Sequence, residues 1–335
     1  MAPHTRFSLH IATALLAVFT TLSATAQSSG TGNGNANEPA KVLRIGYQKS
    51  GLLAVLKAQG SLDEKLKPLG YSIKWFEFPA GPQLLEALNA NSIDFGYTGA
   101  PPPVFAQAGG VRFVYVGAEP AGRHSEAVLV RNDSALRSVA DLKGKRVALQ
   151  KGSSANYLLL EALKKAGLRY EDIRPVYLAP ADARAAFESG TVDAWVIWDP
   201  YYASAQQALK ARALADYSDL NGPYNFYEAT RDFAQQHPDV VGAILGQLRT
   251  AGLWVNDHPV ETAALITPKV GLDPKLVETW VRRYPYGTTV VTDEIVRAQQ
   301  VVADAFYGAH LIPQKVTVKD NVWQSREVAA SLADK

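Results

Sequence analysis

The stretch Val147-Ala148-Leu149-Gln150-Lys151-Gly152-Ser153-Ser154 reads as a buried strand running straight into the start of a helix. The helix continues to about Lys165, because Leu158, Leu159, Ala162, Leu163 and Ala166 recur at helical spacing and Gly167 supplies a left-handed terminator. Ser153 or Ser154 is then the N-cap. A strand–Gly–Ser–helix junction brings unpaired backbone N–H groups, two hydroxyls and the positive end of the helix dipole to one point, which suits an anion. The local alternative is that the two serines only cap the helix.

The chain writes this arrangement twice. Ile45-Gly46-Tyr47-Gln48-Lys49-Ser50-Gly51, followed by Leu52, Leu53, Val55 and Leu56, has the same order of strand, Gln-Lys, small residues and helix. A longer echo relates Leu85-Glu86-Ala87-Leu88-Asn89-Ala90-Asn91-Ser92-Ile93-Asp94-Phe95-Gly96-Tyr97 to Ala185-Ala186-Phe187-Glu188-Ser189-Gly190-Thr191-Val192-Asp193-Ala194-Trp195. Both run from a helix end through a turn to a branched apolar residue, Asp and a strand. Two echoes in one order predict two α/β lobes built alike.

At 335 residues, 47% hydrophobic and 20% charged, the composition is that of a globular chain with about two domains, which excludes disorder and coiled coil. The net charge of +2 gives no reason to expect nucleic acid or an anionic membrane as partner. Residues 1–26 read as a cleaved secretory signal, with His4 and Arg6, the apolar run Leu9 to Leu22, and Ala24-Thr25-Ala26. A membrane anchor is the alternative, but the run is short of the roughly 20 residues a span needs and carries Thr13, Thr20 and Thr21. With no cysteine there is neither a disulfide framework nor a lipid-attachment site, so a soluble periplasmic protein is expected.

Residues 27–41 form a Ser/Gly/Asn-rich linker. Strands are expected at Val42–Tyr47, Tyr71–Phe78, Ile93–Tyr97, Val111–Ala118, Glu126–Val130, Val176–Leu178 and Val192–Trp198. Helices follow from about Gln83 and from the prolines after Ala100, and again over Ala181–Glu188. The remainder after Tyr224–Ala229 is mainly helical, broken at Pro268, Pro274, Pro285 and Pro313. Crossings near 126 and 224 assign 42–126 with 224–335 to lobe I and 127–223 to lobe II. The expected fold is a two-lobed α/β protein, each lobe a mixed, mainly parallel sheet flanked by helices, with a cleft between them. Ligands of such sheets lie beyond the carboxyl ends of the strands. Gln48, Thr98 and Gly99 then face Ser153, Ser154 and Trp198, a set of neutral donors and an aromatic wall.

Ile45-Gly46-Tyr47-Gln48-Lys49, Glu77-Phe78-Pro79-Ala80-Gly81-Pro82-Gln83, Lys151-Gly152-Ser153-Ser154, Pro180 to Phe187, and Asp193-Ala194-Trp195 through Trp198-Asp199-Pro200-Tyr201-Tyr202 together resemble the aliphatic sulfonate-binding proteins of ABC importers. The resemblance spans about Val42 to Trp323. It implies a periplasmic solute-binding fold of type II that closes on an alkanesulfonate and delivers it, for sulfur uptake, to a permease and an ATPase encoded elsewhere. It also implies a monomer without cofactor or metal. Relatives in the wider family bind taurine, nitrate or bicarbonate, or thiamin-precursor pyrimidines, and these remain alternatives. Carried onto this chain, the resemblance gives Ser153 and Ser154 the sulfonate oxygens, with Thr98, Gly99 and Gln48 completing the ring. Trp198 and Tyr202 would pack the apolar tail. Family members often carry an acid directly after the Thr-Gly pair, where this chain has Ala100. Amino-bearing sulfonates are therefore disfavoured unless Glu119 or Asp199 supplies the charge.

Several residues have simpler readings. Lys49 and Lys151 sit beside glycine turns and are expected in solvent. Asp94 and Asp193 begin strands and should satisfy backbone N–H groups. Trp195 is a core residue, whereas Trp198 is either core or ligand wall, and Glu119 is either a hinge residue or a contact. Catalysis is the weaker class. No His-Glu-x-x-His, Gly-x-Ser-x-Gly or phosphate loop is present, and a cysteine-free chain cannot copy the Cys-rich motif of the fungal pyrimidine synthases that share this fold.

Overall fold

A computed structural model describes residues 40–333. The proposed signal segment, and the linker up to Pro39, lie outside the described residues. The first half of the chain runs β1 (Lys41–Tyr47), α1 (Leu52–Gln59), α2 (Ser61–Leu66), β2 (Tyr71–Glu77), α3 (Gly81–Asn89), β3 (Phe95–Thr98), α4 (Pro101–Ala108) and β4 (Val114–Pro120). It continues with β5 (Glu126–Val130), β6 (Arg146–Leu149), α5 (Ser154–Lys165), β7 (Arg174–Tyr177), α6 (Pro180–Glu188), β8 (Ala194–Trp198), α7 (Tyr201–Leu209) and β9 (Arg212–Ala215). After β10 (Tyr224–Ala229) only helices follow: α8 (Arg231–Gln236), α9 (Pro238–Asp257), α10 (Pro259–Val270), α11 (Pro274–Val281), α12 (Asp293–Gly308) and α13 (Arg326–Leu332).

The strands form two five-stranded sheets, ordered β2-β1-β3-β10-β4 and β7-β6-β8-β5-β9. In each, the first three strands are parallel and the fourth runs against both its neighbours. That reversed strand is the one arriving from the other sheet: β5 follows β4, and β10 follows β9. The two sheets are thus mixed, mainly parallel and built on one plan, as the echoes predict. The plan extends to single atoms. Asp94 Oδ2 accepts the backbone N–H of Arg44 at 2.8 Å, and Asp193 Oδ2 accepts that of Arg146 at 2.8 Å. Both aspartates therefore satisfy a backbone N–H of the neighbouring strand, in the middle of β1 and at the start of β6, as expected of them.

Central strands β3, β5 and β8 are buried along their whole length, which suits short apolar strands covered on both faces. Trp195 is fully buried against Phe187, a core residue as expected. The C-terminal helices do more than cover a sheet. Helix α11 packs on α7, and α12 touches both α4 and α5, so elements beside the two sheets meet through them.

Local departures have local causes. Strand β4 starts at Val114 rather than Val111, because the Val111 N–H is spent on Ala106 O in closing α4, with Gly110 at φ 78°. Pro268 lies inside α10 rather than at a break; it falls in the last turn, ahead of the left-handed Gly271. Helix α7 and edge strand β9 were not expected at all. The Ala- and Gln-rich run of α7 carries little hydrophobic period, and β9 is only four residues long.

Candidate functional site

The carboxyl ends of the two sheets meet at a small cavity of about 40 Å³, whose lining includes Gln48, Gly99, Ser153, Ser154, Trp198 and Asn225. A second space of about 210 Å³ adjoins it, shares Gln48, Ser50 and Trp198, and is walled by Phe78, Pro79, Pro200 and Tyr201. The inner chamber is polar and narrow; the outer one has an apolar side. Five of the eight residues expected at the site therefore line one chamber.

Helix α5 supplies the strongest anion feature. Ser153 is its N-cap in extended conformation, yet the side chain does not cap the helix. Its hydroxyl turns back to donate to Gln150 O at 2.7 Å. The first-turn N–H groups, which have no partner inside a helix, lie at the end where Ser153 and Ser154 line the cavity. Gly152, at φ 71°, holds the turn, and its N–H is fixed by Asn156 Oδ1 at 3.0 Å. A Cβ on Gly152 would lie 3.2 Å from the Phe105 ring of α4, so the turn is pressed against the opposite half. Gly99 is in the same position from the other side, since a Cβ there would lie 3.0 Å from Ser154 Cβ. The cavity is a closed cleft.

The corresponding end of α4 differs. Its first three residues are Pro101, Pro102 and Pro103, which carry no N–H, so this helix presents a Pro102 wall in place of donors. The expectation that the Thr98–Gly99 junction is a second donor cluster is corrected on that ground. Thr98 itself is fully buried and donates to Glu228 at 2.6 Å and to Gly99 O at 3.0 Å, so its hydroxyl faces away from the cavity. Two further expectations need the same correction. Tyr202 lies behind the wall, its ring stacked 4.3 Å from the Arg283 guanidinium, and Tyr201 takes the place at the mouth. Glu119 is buried beneath Tyr97, accepting hydrogen bonds from the hydroxyls of Tyr97 and Tyr227. Burial raises its pKa to about 7 against the effect of those two donors.

Asp199 does not supply a free charge either. It is fully buried and paired with Arg283, whose Nη1 stands 3.0 Å from Oδ1 and 3.2 Å from Oδ2. Arg283 Nη2 also donates to Gln206 Oε1 at 2.5 Å. Burial raises the Asp199 pKa to about 6, with Arg283 pulling it down. Arg283 follows α11 and Asp199 follows β8, so this pair ties the two halves together behind Trp198. Trp198 is 7% exposed, belongs to the buried core and also borders both chambers. Lys49 is exposed at the mouth, 3.8 Å from Glu77, and Lys151 is exposed with its ammonium over the Tyr177 ring.

Sequence reasoning missed Ser50, Asn225, Tyr284 and Glu126. Asn225 and Tyr284 come from segments far away in the chain and carry no local signal. Glu126 did carry one: it opens the otherwise apolar strand Ala127-Val128-Leu129-Val130. Among the described residues no group of three or more His, Cys, Asp and Glu is arranged to hold a metal.

Comparison with known proteins agrees with this geometry. The model of the NMT1/THI5-like family matches residues 76–262. An aliphatic sulfonates-binding protein of Escherichia coli K12 is 45% identical over 290 residues, covering 86% of this chain and 90% of the relative. The structure of the alkanesulfonate-binding protein SsuA from Xanthomonas axonopodis pv. citri bound to MOPS superposes with a TM-score of 0.82 at 43% identity, covering 87% of this chain and 100% of that one. That of the periplasmic aliphatic sulphonate binding protein SsuA from Escherichia coli gives 0.76 at 44% identity, covering 84% and 92%.

Proposed function

This chain belongs to the NMT1/THI5-like family, among its aliphatic sulfonate-binding proteins, and from that premise we propose that it binds aliphatic sulfonates in the periplasm and delivers them to an ABC importer for sulfur uptake. The observation that carries the reading is the uncapped N-terminus of α5 facing a closed chamber beside an apolar mouth. A sulfonate is always ionised and accepts hydrogen bonds only. The α5 N–H groups, the Ser154 hydroxyl, Gln48 and Asn225 can satisfy it without a buried cation. Its tail would run along Trp198 toward Phe78, Pro79 and Tyr201.

In this reading residues 1–26 are removed on export and the mature protein is a monomer that meets a permease and an ATPase. The lobes are 42–126 with 224–335 and 127–223, hinged near 126 and 224. Ligand shifts the population toward the closed form because only that form contacts the anion from both sides. The role is binding, not catalysis.

A thermal-shift titration of the chain from Gln27 tests it, with ethanesulfonate, pentanesulfonate, taurine, sulfate, nitrate and a hydroxymethylpyrimidine. A ligand at about 100 times its dissociation constant adds about 2.7 kcal/mol. Stabilisation by the alkanesulfonates is expected; stabilisation by nitrate or the pyrimidine alone would keep the fold and replace the substrate.

A further inference from the structure

An anion chamber with a carboxyl in its wall needs an explanation, and Glu126 is that carboxyl. It is 6% exposed and lines the chamber together with Ser153, Ser154, Gly99 and Asn225. Its Oε2 is buried without a hydrogen-bond partner. An unsatisfied buried oxygen is costly, and more so when charged. It is tolerated where a ligand completes it.

The charged and titratable groups around Glu126 are all on hand. Asp199, from the turn after β8, acts on it as a like charge. Arg283 is committed to Asp199 and Gln206. Tyr284, beside Arg283, and Tyr217, after β9, are buried phenols whose pKa values burial pushes well up, so both stay neutral. Glu119 is held by its two tyrosines on β3 and β10. Burial raises the Glu126 pKa to about 7, with the Ser154 side chain opposing the rise and Asp199 adding a little to it. A sulfonate at the α5 terminus pushes the same way, since like charges close together in a partly buried site repel more strongly than in water.

We propose that Glu126 binds the sulfonate as a neutral carboxylic acid, donating its proton from Oε2 to a sulfonate oxygen, so that ligand capture is coupled to uptake of one proton. The proposal rests on the sulfonate reading above. No bond to carbon or sulfur changes; the proton comes from solvent and returns there on release. The device also selects. A sulfonate brings no proton of its own, so the protein must supply the donor, whereas a ligand with an ammonium at that point would need the carboxylate.

Calorimetric titration of the chain from Gln27 with pentanesulfonate between pH 5.5 and 8.5 is the test. Each pH is run in two sulfonate-free buffers of different ionisation enthalpy, because sulfonate buffers would compete. Affinity is expected to fall toward tenfold per pH unit above about pH 7, with buffer-dependent heat approaching one proton taken up. Glu126→Gln, whose amide can still donate, is expected to bind with a flat profile and no proton uptake. A flat wild-type profile without buffer-dependent heat would overturn the proposal while leaving the sulfonate reading intact. An unchanged slope in Glu126→Gln would overturn it in favour of Asp199, and an affinity rising with pH would overturn it in favour of an ammonium acceptor. No binding of any sulfonate at any pH would bring down the function and this inference together.

Discussion

Arg283→Met removes the cation that joins the two halves of the molecule behind Trp198 while keeping an apolar stem against Tyr202. It deprives Asp199 of bonds at 3.0 and 3.2 Å and Gln206 of one at 2.5 Å, leaving Asp199 only the Ala203 N–H at 2.9 Å. Removing one member of a buried charge pair costs about 2–5 kcal/mol, mostly through the charge left behind. Here the lower part of that range applies, because Asp199 can escape by protonation; its pKa is already about 6 with Arg283 in place. A loss of 2–3 kcal/mol is about 30- to 150-fold in affinity. If the lobes part when the cleft opens, Asp199 regains water there, and the cost falls on the closed, liganded form alone. Calorimetry with pentanesulfonate at pH 7.5 should then show that loss, while urea unfolding of the unliganded protein changes little. At pH 5.5 the loss should shrink, because a carboxyl whose pKa is raised in the closed form is neutralised as pH falls. Asp199→Asn combined with Arg283→Met should recover much of the affinity. Binding within twofold of wild type, or an equal drop in unliganded stability, would refute the cross-cleft role.

Ser154→Ala should weaken every sulfonate by about 1–2 kcal/mol, whereas Ser153→Ala should cost less, since its hydroxyl is spent on Gln150 O; parallel titrations of ethanesulfonate and pentanesulfonate would show the difference. Trp198→Ala should flatten the gain of affinity with chain length, which an apolar wall supports at up to about 0.8 kcal/mol per methylene; an equal loss for short and long ligands would contradict the wall assignment. Gly99→Val should hinder closure by driving branched carbons into Ser154 Cβ, reducing affinity more than tenfold with little change in unliganded stability by urea unfolding. Glu119, raised from the ordinary 4.5 to about 7, keeps in the native state a proton the unfolded chain has released. Stability should therefore be lost as pH rises between those values, by at most about 3 kcal/mol from this group, and Glu119→Gln should remove its share of the slope in urea titrations at pH 5 and pH 8.

The two-lobe plan was legible because it rests on local grammar: strand, Gly-Ser turn and helix written twice, and Asp at the same offset in both copies. The Arg44–Asp94 and Arg146–Asp193 bonds are that grammar realised. The donor residues at the two Gln-Lys junctions were legible for the same reason. What could not be read was the direction of side chains at the second helix start. Three prolines mark a helix N-terminus in sequence, but they also delete the donors such an end would offer, and Thr98 turns to a glutamate 130 positions later in the chain. Partners so remote, like Asn225, Tyr284 and Arg283, become neighbours only through the sheet order.

In the proposed reading the chamber holds an anion where carboxyls outnumber cations. Glu119, Glu126, Asp199 and Glu228 are all buried close to it, against the partly buried guanidinium of Arg283, 16% exposed. Each acid is managed separately: Glu119 by two phenols, Asp199 by Arg283, and Glu228 by Thr98, with burial pushing its pKa well up. Glu126 and Glu228 each keep one oxygen without a partner, but of the two Glu126 is the one that lines the chamber. A lysine in its place would bind sulfonate, sulfate and nitrate alike through charge. Helix-end N–H groups and a neutral acid bind through direction instead, and they hold a monoanion with a tail better than a compact dianion, whose second charge they cannot match. Sulfate should therefore stabilise the protein far less than pentanesulfonate at equal concentration. Glu126→Lys should narrow that gap, and an unchanged gap in that variant would place the discrimination in the apolar mouth rather than in the chamber.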